Sequence, residues 1–338
     1  MLKGLALTPP VVGRIAIGKV VVRSGKRLPE KDDEFTITSQ IQGKDGWVDH
    51  PLNAQLRAEG QRKLRAIPVR LLFDDPDINL RANYTLFDRG TGRPLCVGDG
   101  ATCRRVVAGR IQQLECPSPQ ACDRAAGGAC KPYGRLHVRI DVEEDDSDDL
   151  LGVDGLGSFV FRTTGFNSIR TLGARLRYLD AASGGLLAAL PLQLRLRGKS
   201  TAQSHRAPIF YVDLTLRPGV TLAQAMEAAR EQRTVEIAAG IDQSRLDEAA
   251  RQGLAMGAFE ESEEEGASVV QEFYPEPGDQ VDQDQEIAEK SLASAAATGT
   301  RDRAASTILL REKLQRRVET IPVSAQPHAG KPSGDRDG

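Results

Sequence analysis

The sequence has few of the residues on which most enzymes and membrane proteins depend. Aromatic residues make up 4% of the 338 residues, and there are four histidines and one tryptophan. No segment approaches the ~20 consecutive apolar residues that span a bilayer. The N-terminus also lacks a basic segment followed by an apolar core and a small-residue cleavage site. We therefore expect a soluble, cytoplasmic protein with no membrane partner.

Motifs of the common catalytic classes are absent from the sequence. It contains no H-E-x-x-H, no G-x-S-x-G, no G-x-x-x-x-G-K-[ST] and no G-x-G-x-x-G opening a helix. His205 lies in the polar stretch GKSTAQSHRAP, which is more typical of an exposed hairpin tip than of a catalytic loop. We therefore predict no catalytic residues and no enzyme activity, and keep a metal-dependent hydrolase as an alternative.

Charge is unevenly distributed, although the formal net charge is only −2. Residues 1–140 hold 23 Lys and Arg against 14 Asp and Glu, and residues 155–220 hold 9 against 2. Residues 141–154 hold 8 acidic residues and no basic one, and residues 221–338 hold 13 basic against 23 acidic. This pattern fits a basic body that faces nucleic acid. It fits equally well a body whose arginines only solubilise exposed strand faces.

Short, partly alternating apolar segments dominate the first two thirds of the chain. They lie at 67–73, 80–87, 135–140, 158–164, 190–197 and 208–216, with turn residues between them. The segments RLHVRI and LQLRLR alternate apolar with basic residues, so each would bury one face and expose arginines on the other. We therefore predict an α+β fold with a mostly antiparallel, β-rich core domain over residues 1–220.

Residues 165–185 carry apolar side chains at three- and four-residue steps and end in two glycines. This spacing predicts a helix packed on the sheet. This helix and the alternating strands carry the basic side chains that we predict to contact nucleic acid or a partner protein. These candidates are Lys131, Arg135, Arg139, Arg170, Arg175, Arg195, Arg197 and Lys199.

The C-terminal third is predicted to be helical at first and then unstructured. Segments rich in Ala and Glu predict a helical hairpin over residues 221–258. Residues 260–286 are too acidic and too often interrupted by proline to bury a core. We therefore expect residues 259–338 to form an acidic, mostly disordered tail, and residues 141–154 to form a solvated acidic loop.

Four of the five cysteines lie in one polar stretch rich in glycine and proline. Cys103, Cys116, Cys122 and Cys130 follow the spacing C-x12-C-x5-C-x7-C. Structural zinc takes four ligands in a tetrahedron, and a loop too polar to fold by burial gains order from a metal. Unligated thiols would instead prefer buried apolar sites. These four cysteines therefore predict a structural zinc loop within residues 96–135.

Two other potential ligands lie near this loop. Cys96, in the segment PLCVG, is predicted to be a small core residue near a strand end. His137 could substitute as a ligand, but its place in an alternating strand favours a structural role.

Several segments carry a resemblance to a known family. They are LFDRGTGRPLCVGDGATC, GGACKPYGRLHVRI, GSFVFRTTGFNSIRTLGARL and LPLQLRLRGKST, in this order within about residues 1–220. This region resembles the recombination directionality factor family associated with large serine integrases of actinophages. It is more similar still to chains of proteobacterial genomic islands labelled "hydrolase or metal-binding protein". The most specific elements are A-C-K-P-x-x-R-L and the T-G-F-N start of the helix.

The resemblance implies a non-enzymatic accessory protein of DNA recombination in a phage or other mobile genetic element. Such a protein binds a recombinase or integrase on DNA and redirects recombination from integration toward excision. The predicted zinc ligands match the cysteine loop of the family, and five further residues match motif positions without an assigned role: Lys131, Pro132, Arg135, Gly165 and Asn167. The acidic insert and tail depart from the actinophage members.

The residues also leave open a second kind of function, a single-stranded DNA-binding or annealing protein of a recombination module. Such proteins pair a positive groove with stacking aromatic side chains and often carry an acidic terminus. The basic body and acidic tail favour this alternative, whereas the low aromatic content disfavours it.

Overall fold

The structure is a computed structural model that describes residues 10–23, 26–44, 46–58, 63–142, 157–200, 208–256 and 263–274. Its strands are β1 (Val11–Arg23), β2 (Lys26–Gly43), β3 (Gly46–Asp49), β4 (Ala66–Leu71), β5 (Leu80–Phe87), β6 (Pro94–Gly98), β7 (Thr102–Val107), β8 (Arg110–Glu115), β9 (Cys130–Ile140), β10 (Ser158–Thr163), β11 (Leu192–Lys199) and β12 (Ile209–Leu216). Its helices are α1 (Pro51–Ala58), α2 (Pro76–Asn79), α3 (Ser118–Ala121), α4 (Phe166–Ser183), α5 (Leu222–Ala238), α6 (Gln243–Met256) and α7 (Glu263–Phe273), and a 3₁₀ turn covers Asp123–Gly128.

The strands form one mostly antiparallel sheet, which confirms the predicted α+β class. Its main path runs β3-β2-β1-β10-β9-β5-β6-β7-β8, and β1 pairs with β10 in parallel. One edge of β9 pairs with β10, whereas β5 and β4 pair in succession along its other edge. The segment with α2, between β4 and β5, therefore divides the sheet into two branches. One branch continues to β8 and the other passes through β11 to β12.

One face of the sheet forms the main hydrophobic core, because alternate strand residues point to it. Val138 and Phe159 are cross-strand partners within this face, and Leu172 and Leu176 of α4 pack against the same core. Gly134 permits the close approach of α4, since a Cβ there would lie 2.9 Å from Ile169 Cγ1. The predicted helix on the sheet is therefore confirmed.

Strands β1 to β3 form a long meander that the sequence pattern does not predict. In β1 and β2 the apolar side chains of Ile15, Phe35 and Ile37 are buried in the same core as the predicted strands. Lys and Asp residues surround these apolar positions in the sequence, so the alternation there is weak.

Helices α5 and α6 occupy the segment where the sequence predicts a helical hairpin. A capping box begins α5, in which the Thr221 side chain accepts from the Gln224 backbone N–H while the Gln224 side chain accepts from the backbone N–H of Thr221. Leu254 of α6 packs against Phe73 and Ile78 beside α2. No helix in the described ranges is long and apolar enough to cross a membrane.

The expectation of disorder from residue 259 onward is wrong for residues 263–274. This segment forms α7 and the following Tyr274, and it packs on the sheet through Val269, Val270 and Tyr274. Although the segment is acidic, its apolar residues recur at helical spacing and form a stripe along one side of the helix. Burial of this stripe against the sheet orders the segment. The rest of the predicted tail, residues 143–154 of the predicted acidic insert and the loop with His205 lie outside the described residues.

Candidate functional site

Basic residues from five strands share the face of the sheet opposite the main core, and we name this surface the basic face. Arg81, Arg135 and Arg162 are cross-strand partners on β5, β9 and β10, and Arg70 pairs with Arg139. Arg14 lies opposite Val160, two residues from Arg162 on the same side of β10. The basic face therefore consists of Arg14, Arg70, Arg81, Lys131, Arg135, Arg139 and Arg162.

Helix α7 covers the central part of the basic face. Arg162 donates from Nη2 to Glu265 Oε1 at 2.9 Å, and Arg14 donates from Nη1 to Ser268 Oγ at 3.3 Å. At the other end of the helix, Lys131 Nζ donates to the backbone oxygen of Phe273 at 3.0 Å. As a result Arg14 and Arg162 are only 9% and 8% exposed.

Aromatic rings lie among these cations. The Arg14 guanidinium lies 3.7 Å from the centroid of the Trp47 ring, and the Arg135 guanidinium lies 5.3 Å from that of Tyr133. Phe87 contacts Tyr133 edge to face with centroids 5.6 Å apart. Guanidinium groups and aromatic rings side by side can contact the phosphates and the bases of a nucleic acid respectively.

Burial changes the acid–base properties of the covered groups. It raises the pKa of Glu272 in α7 to about 7, although Arg162 and Arg14 favour the charged carboxylate. Burial, followed by repulsion from Arg162, lowers the pKa of Arg14 to about 10. Burial, with Arg135 and Arg162 nearby, also lowers the pKa of His137 to about 3, so this imidazole is neutral at physiological pH.

The structure brings only some of the predicted contact residues together. Lys131, Arg135 and Arg139 lie on the basic face, where Arg14 and Arg162 join them without having been predicted. The alternation of apolar residues around each of these two arginines, as in GRIAI and FVFRT, is the signal that could have identified them.

The other predicted cations lie elsewhere, on α4 and β11. Arg175 and Arg197 both form ion pairs with Asp213, at 2.9 and 2.6 Å. Lys199 donates to Asn167 Oδ1 at 2.7 Å, which fixes the start of α4 next to β11. The remaining two, Arg170 and Arg195, are exposed.

A second candidate site is the cysteine cluster, which comprises Cys96, Cys103, Cys116, Cys122 and Cys130. Strand pairing aligns Cys130, Leu86, Cys96 and Arg105 across β9, β5, β6 and β7, so their side chains share one face. The loop between β8 and β9 folds over this face. Cys96, Cys116, Cys122 and Cys130 line one small pocket together with Arg105.

The thiols of the cluster are neighbours, but they do not converge on one point. All five cysteines are free thiols, and Arg105 lies 3.5 Å from Cys96 Sγ through Nε and 3.9 Å from Cys122 Sγ through Nη2. Burial and neighbouring thiols raise the pKa of Cys130 to about 12, and that of Cys103 to about 11. Within the part of the chain that the structure describes, no three His, Cys, Asp or Glu side chains are close enough to hold a metal ion.

Cys96 is buried, as predicted for a core residue, but it also belongs to the cysteine cluster. The Asp99 side chain accepts from the backbone N–H groups of Ala101 and Thr102 and so closes the turn between β6 and β7. This hairpin pairs the two strands and thereby brings Cys96 close to Cys103. The D-G pair between Cys96 and Cys103 is a sequence signal for such a hairpin. His137 is seven residues from Cys130 on the same strand, so its side chain points to the opposite face.

Comparison with known proteins identifies the family. A profile of the Gp3-like family, described as recombination directionality factor-like, matches residues 12–217. The chain therefore belongs to the Gp3-like family. The Gp3-like region begins in β1 and ends directly after β12, so it contains the sheet, α4 and the cysteine cluster, whereas α5, α6 and α7 lie beyond it. No curated protein and no solved structure matches this chain.

Proposed function

We propose that this protein is a non-catalytic accessory factor of DNA recombination in a mobile genetic element. It binds a recombinase or integrase on DNA and shifts the outcome from integration toward excision. The observation that carries this proposal is the Gp3-like family match, which coincides with the sheet from β1 to β12. The accumulation of arginines on one face of that sheet supports an interaction with DNA.

Among the contact residues predicted from the sequence, the exposed arginines are the best candidates for contact with the recombinase–DNA complex. Arg170 on α4 and Arg195 on β11 are both exposed, whereas Arg175 and Arg197 are held by Asp213. Charged groups at the rim of an interface mainly increase the rate of association. Reversal of the two exposed charges should therefore weaken the complex without unfolding the protein.

The experiment is a mobility-shift titration with the recombinase encoded in the same element and its DNA site. We expect the protein to retard the recombinase–DNA complex further, and the double variant Arg170→Glu, Arg195→Glu to do so at several-fold higher concentration. Arg245→Glu is the matched control, because Arg245 lies on α6 outside the family region and its side chain is 89% exposed. If the protein binds neither the recombinase nor its complex with DNA, the proposal is wrong.

We further propose that the cysteine cluster binds one structural zinc ion through Cys103, Cys116, Cys122 and Cys130. A donor set made only of thiols suits zinc, and a fully thiolate-ligated ion has no open position for a reacting water. Cys116 and Cys122 come from the loop after β8, whereas Cys103 comes from β7 and Cys130 from β9. The bound ion would therefore hold this loop against the two strands. Since metal binding displaces thiol protons, it would also offset the cost of burying these groups.

A further inference from the structure

We propose that α7 is an intramolecular cover over a DNA-binding surface, and that the phosphate backbone of DNA takes the place of α7 on the basic face. This inference rests on the proposed function, because it locates the DNA contact of the accessory factor. It also assigns a regulatory role to a helix that lies outside the family region.

The chemistry of the covered surface suits a polyanion. Departure of α7 would uncover Arg14, Arg162 and Lys131, whose hydrogen bonds to the helix end on Ser268, Glu265 and the Phe273 backbone. The Glu265 carboxylate thus occupies a place that a phosphate oxygen could take on Arg162. Phe87 and Tyr133, which α7 also covers, would present rings on which bases can stack.

The basic face continues beyond α7 into an open groove. This groove has a volume of about 550 Å³ and lies between the β5–β8 branch and helices α2 and α6. Arg81 and Arg104 line its floor, and Arg251 lies on its rim, where it pairs with Asp75. Asp75, Asp77 and Asp99 also line this groove. A DNA strand that continued into it from the surface beneath α7 would therefore meet carboxylates as well as further cations.

The contact that docks α7 is close and depends on two glycines. A Cβ added at Gly266 would lie 2.7 Å from the carbonyl carbon of Gly92, in the β5–β6 turn, and would overlap its oxygen. Gly92 has a φ of +72°, and the Asp88 side chain stabilises this turn by accepting from the backbone N–H groups of Gly90 and Thr91. A glycine inside a helix makes the helix less stable than an alanine would, so Gly266 weakens the helix itself while permitting its docking.

Gly266 therefore offers a substitution that separates docking from helix formation. Gly266→Ala should strengthen the isolated helix and yet displace it from the sheet, without a change in charge. Gln271→Ala is the matched control, because Gln271 is on the exposed side of the same helix. Val269→Asp is a second means of release, since Val269 is fully buried against the sheet.

The experiment uses the full-length chain and combines hydrogen exchange with DNA binding. Exchange of the amides in residues 263–274 reports docking, and anisotropy of short single- and double-stranded DNA across a salt series reports affinity. A surface that is covered in nine of ten molecules loses about tenfold in apparent affinity. We therefore expect Gly266→Ala to lose protection and to bind DNA about tenfold more tightly than the wild type.

The salt dependence and a second substitution test where the DNA binds. Each phosphate contact steepens the slope of log affinity against log salt by roughly 0.7 to 0.9, so release of α7 from Arg14, Arg162 and Lys131 should steepen it by about 2 to 3. Addition of Arg162→Glu to Gly266→Ala should remove the gain. Stronger binding of single-stranded than of double-stranded DNA would indicate stacking on Tyr133 and Phe87. Equal binding of the two forms would indicate phosphate contacts alone. Both results support the proposal.

Three results would overturn the proposal. Release of α7 without a gain in DNA affinity would show that the basic face does not bind DNA, and an acidic protein surface would then be the other candidate occupant. A gain that Arg162→Glu leaves intact would place the DNA elsewhere. Retained protection in both Gly266→Ala and Val269→Asp would show that α7 is a fixed part of the fold.

Different experimental results would contradict the proposed role in recombination and the proposed role of α7. If the wild-type protein changes the direction of recombination but release of α7 does not increase DNA affinity, only the role of α7 is wrong. If release increases DNA affinity but the protein neither binds the recombinase nor changes its products, the role in recombination is wrong and the DNA-binding surface remains.

Discussion

At the scale of single residues, opposite charges on the basic face and α7 are held together under partial exclusion of water. Arg162 and Glu265 form the clearest pair, with 7% and 34% of their side chains exposed. Lys131 and Arg135 could be identified from the sequence because they belong to a motif and an alternating strand. The carboxylate that pairs with Arg162 could not be identified, because nothing local in the sequence indicates which distant carboxylate meets which arginine.

Glu272 predicts a pH dependence of the docking of α7. Burial raises the pKa of its carboxyl to about 7, while Arg14 on β1 and Arg162 on β10 oppose the rise. A carboxyl whose pKa is raised in the docked state stabilises docking at low pH, and this contribution is lost as the pH rises through about 7. Amide protection in residues 263–274, corrected for intrinsic exchange, should therefore fall between pH 5 and pH 8 in the wild type. The expected fall is about tenfold for each unit by which docking raises the pKa of Glu272.

The Glu272→Gln variant is the control for this prediction. The amide does not titrate, so its protection should change much less over the same pH range. Equal slopes in the variant and the wild type would assign the pH dependence to another group.

The cysteines allow a prediction about metal content. Cys116→Ser and Cys130→Ser should each lower the zinc content measured by mass spectrometry from one ion per chain, and a chelator should reproduce the loss of thermal stability in the wild type. Cys96→Ser should retain the zinc, because the predicted ligand set does not include it. Loss of zinc in Cys96→Ser but not in Cys103→Ser would replace Cys103 by Cys96 as the fourth ligand.

At the scale of elements, the predictable parts are those whose pattern is carried within one segment. The strands from β9 to β12 and helix α4 alternate or recur clearly enough to be located from the sequence. Helix α7 could not, because its apolar stripe is short and lies in a strongly acidic segment. Its order depends on Phe87 and Tyr133, which lie more than a hundred residues earlier in the chain.

Truncation after residue 262 tests the contribution of α7 to stability. The sequence alone predicts no loss, since a disordered tail buries nothing. The structure predicts a lower melting temperature, because Val269 and Tyr274 would no longer cover Phe87 and Tyr133. Full burial of one such side chain contributes about 1.5 to 3 kcal/mol. A melting curve identical to that of the full chain would contradict the packed α7.

At the scale of the whole molecule, the sheet positions two sites on opposite faces of the same strands. Cys130 and Lys131 are consecutive residues at the start of β9, and they point to the cysteine cluster and the basic face respectively. The sequence predicts the fold class and the cysteine loop, because these depend on local alternation and spacing. The division of the sheet into two branches could not be predicted, since it depends on the joint pairing of β4 and β5 with β9.

The ratio of excision to integration products is the most direct test of the proposed role in recombination. The recombinase encoded in the same element is incubated with either pair of DNA sites, with and without the purified protein. We predict that the protein raises the yield of excision products and lowers that of integration products, whereas the double variant Arg170→Glu, Arg195→Glu has a weaker effect. Unchanged yields from both pairs of sites, at protein concentrations well above that of the recombinase, would contradict the proposed role.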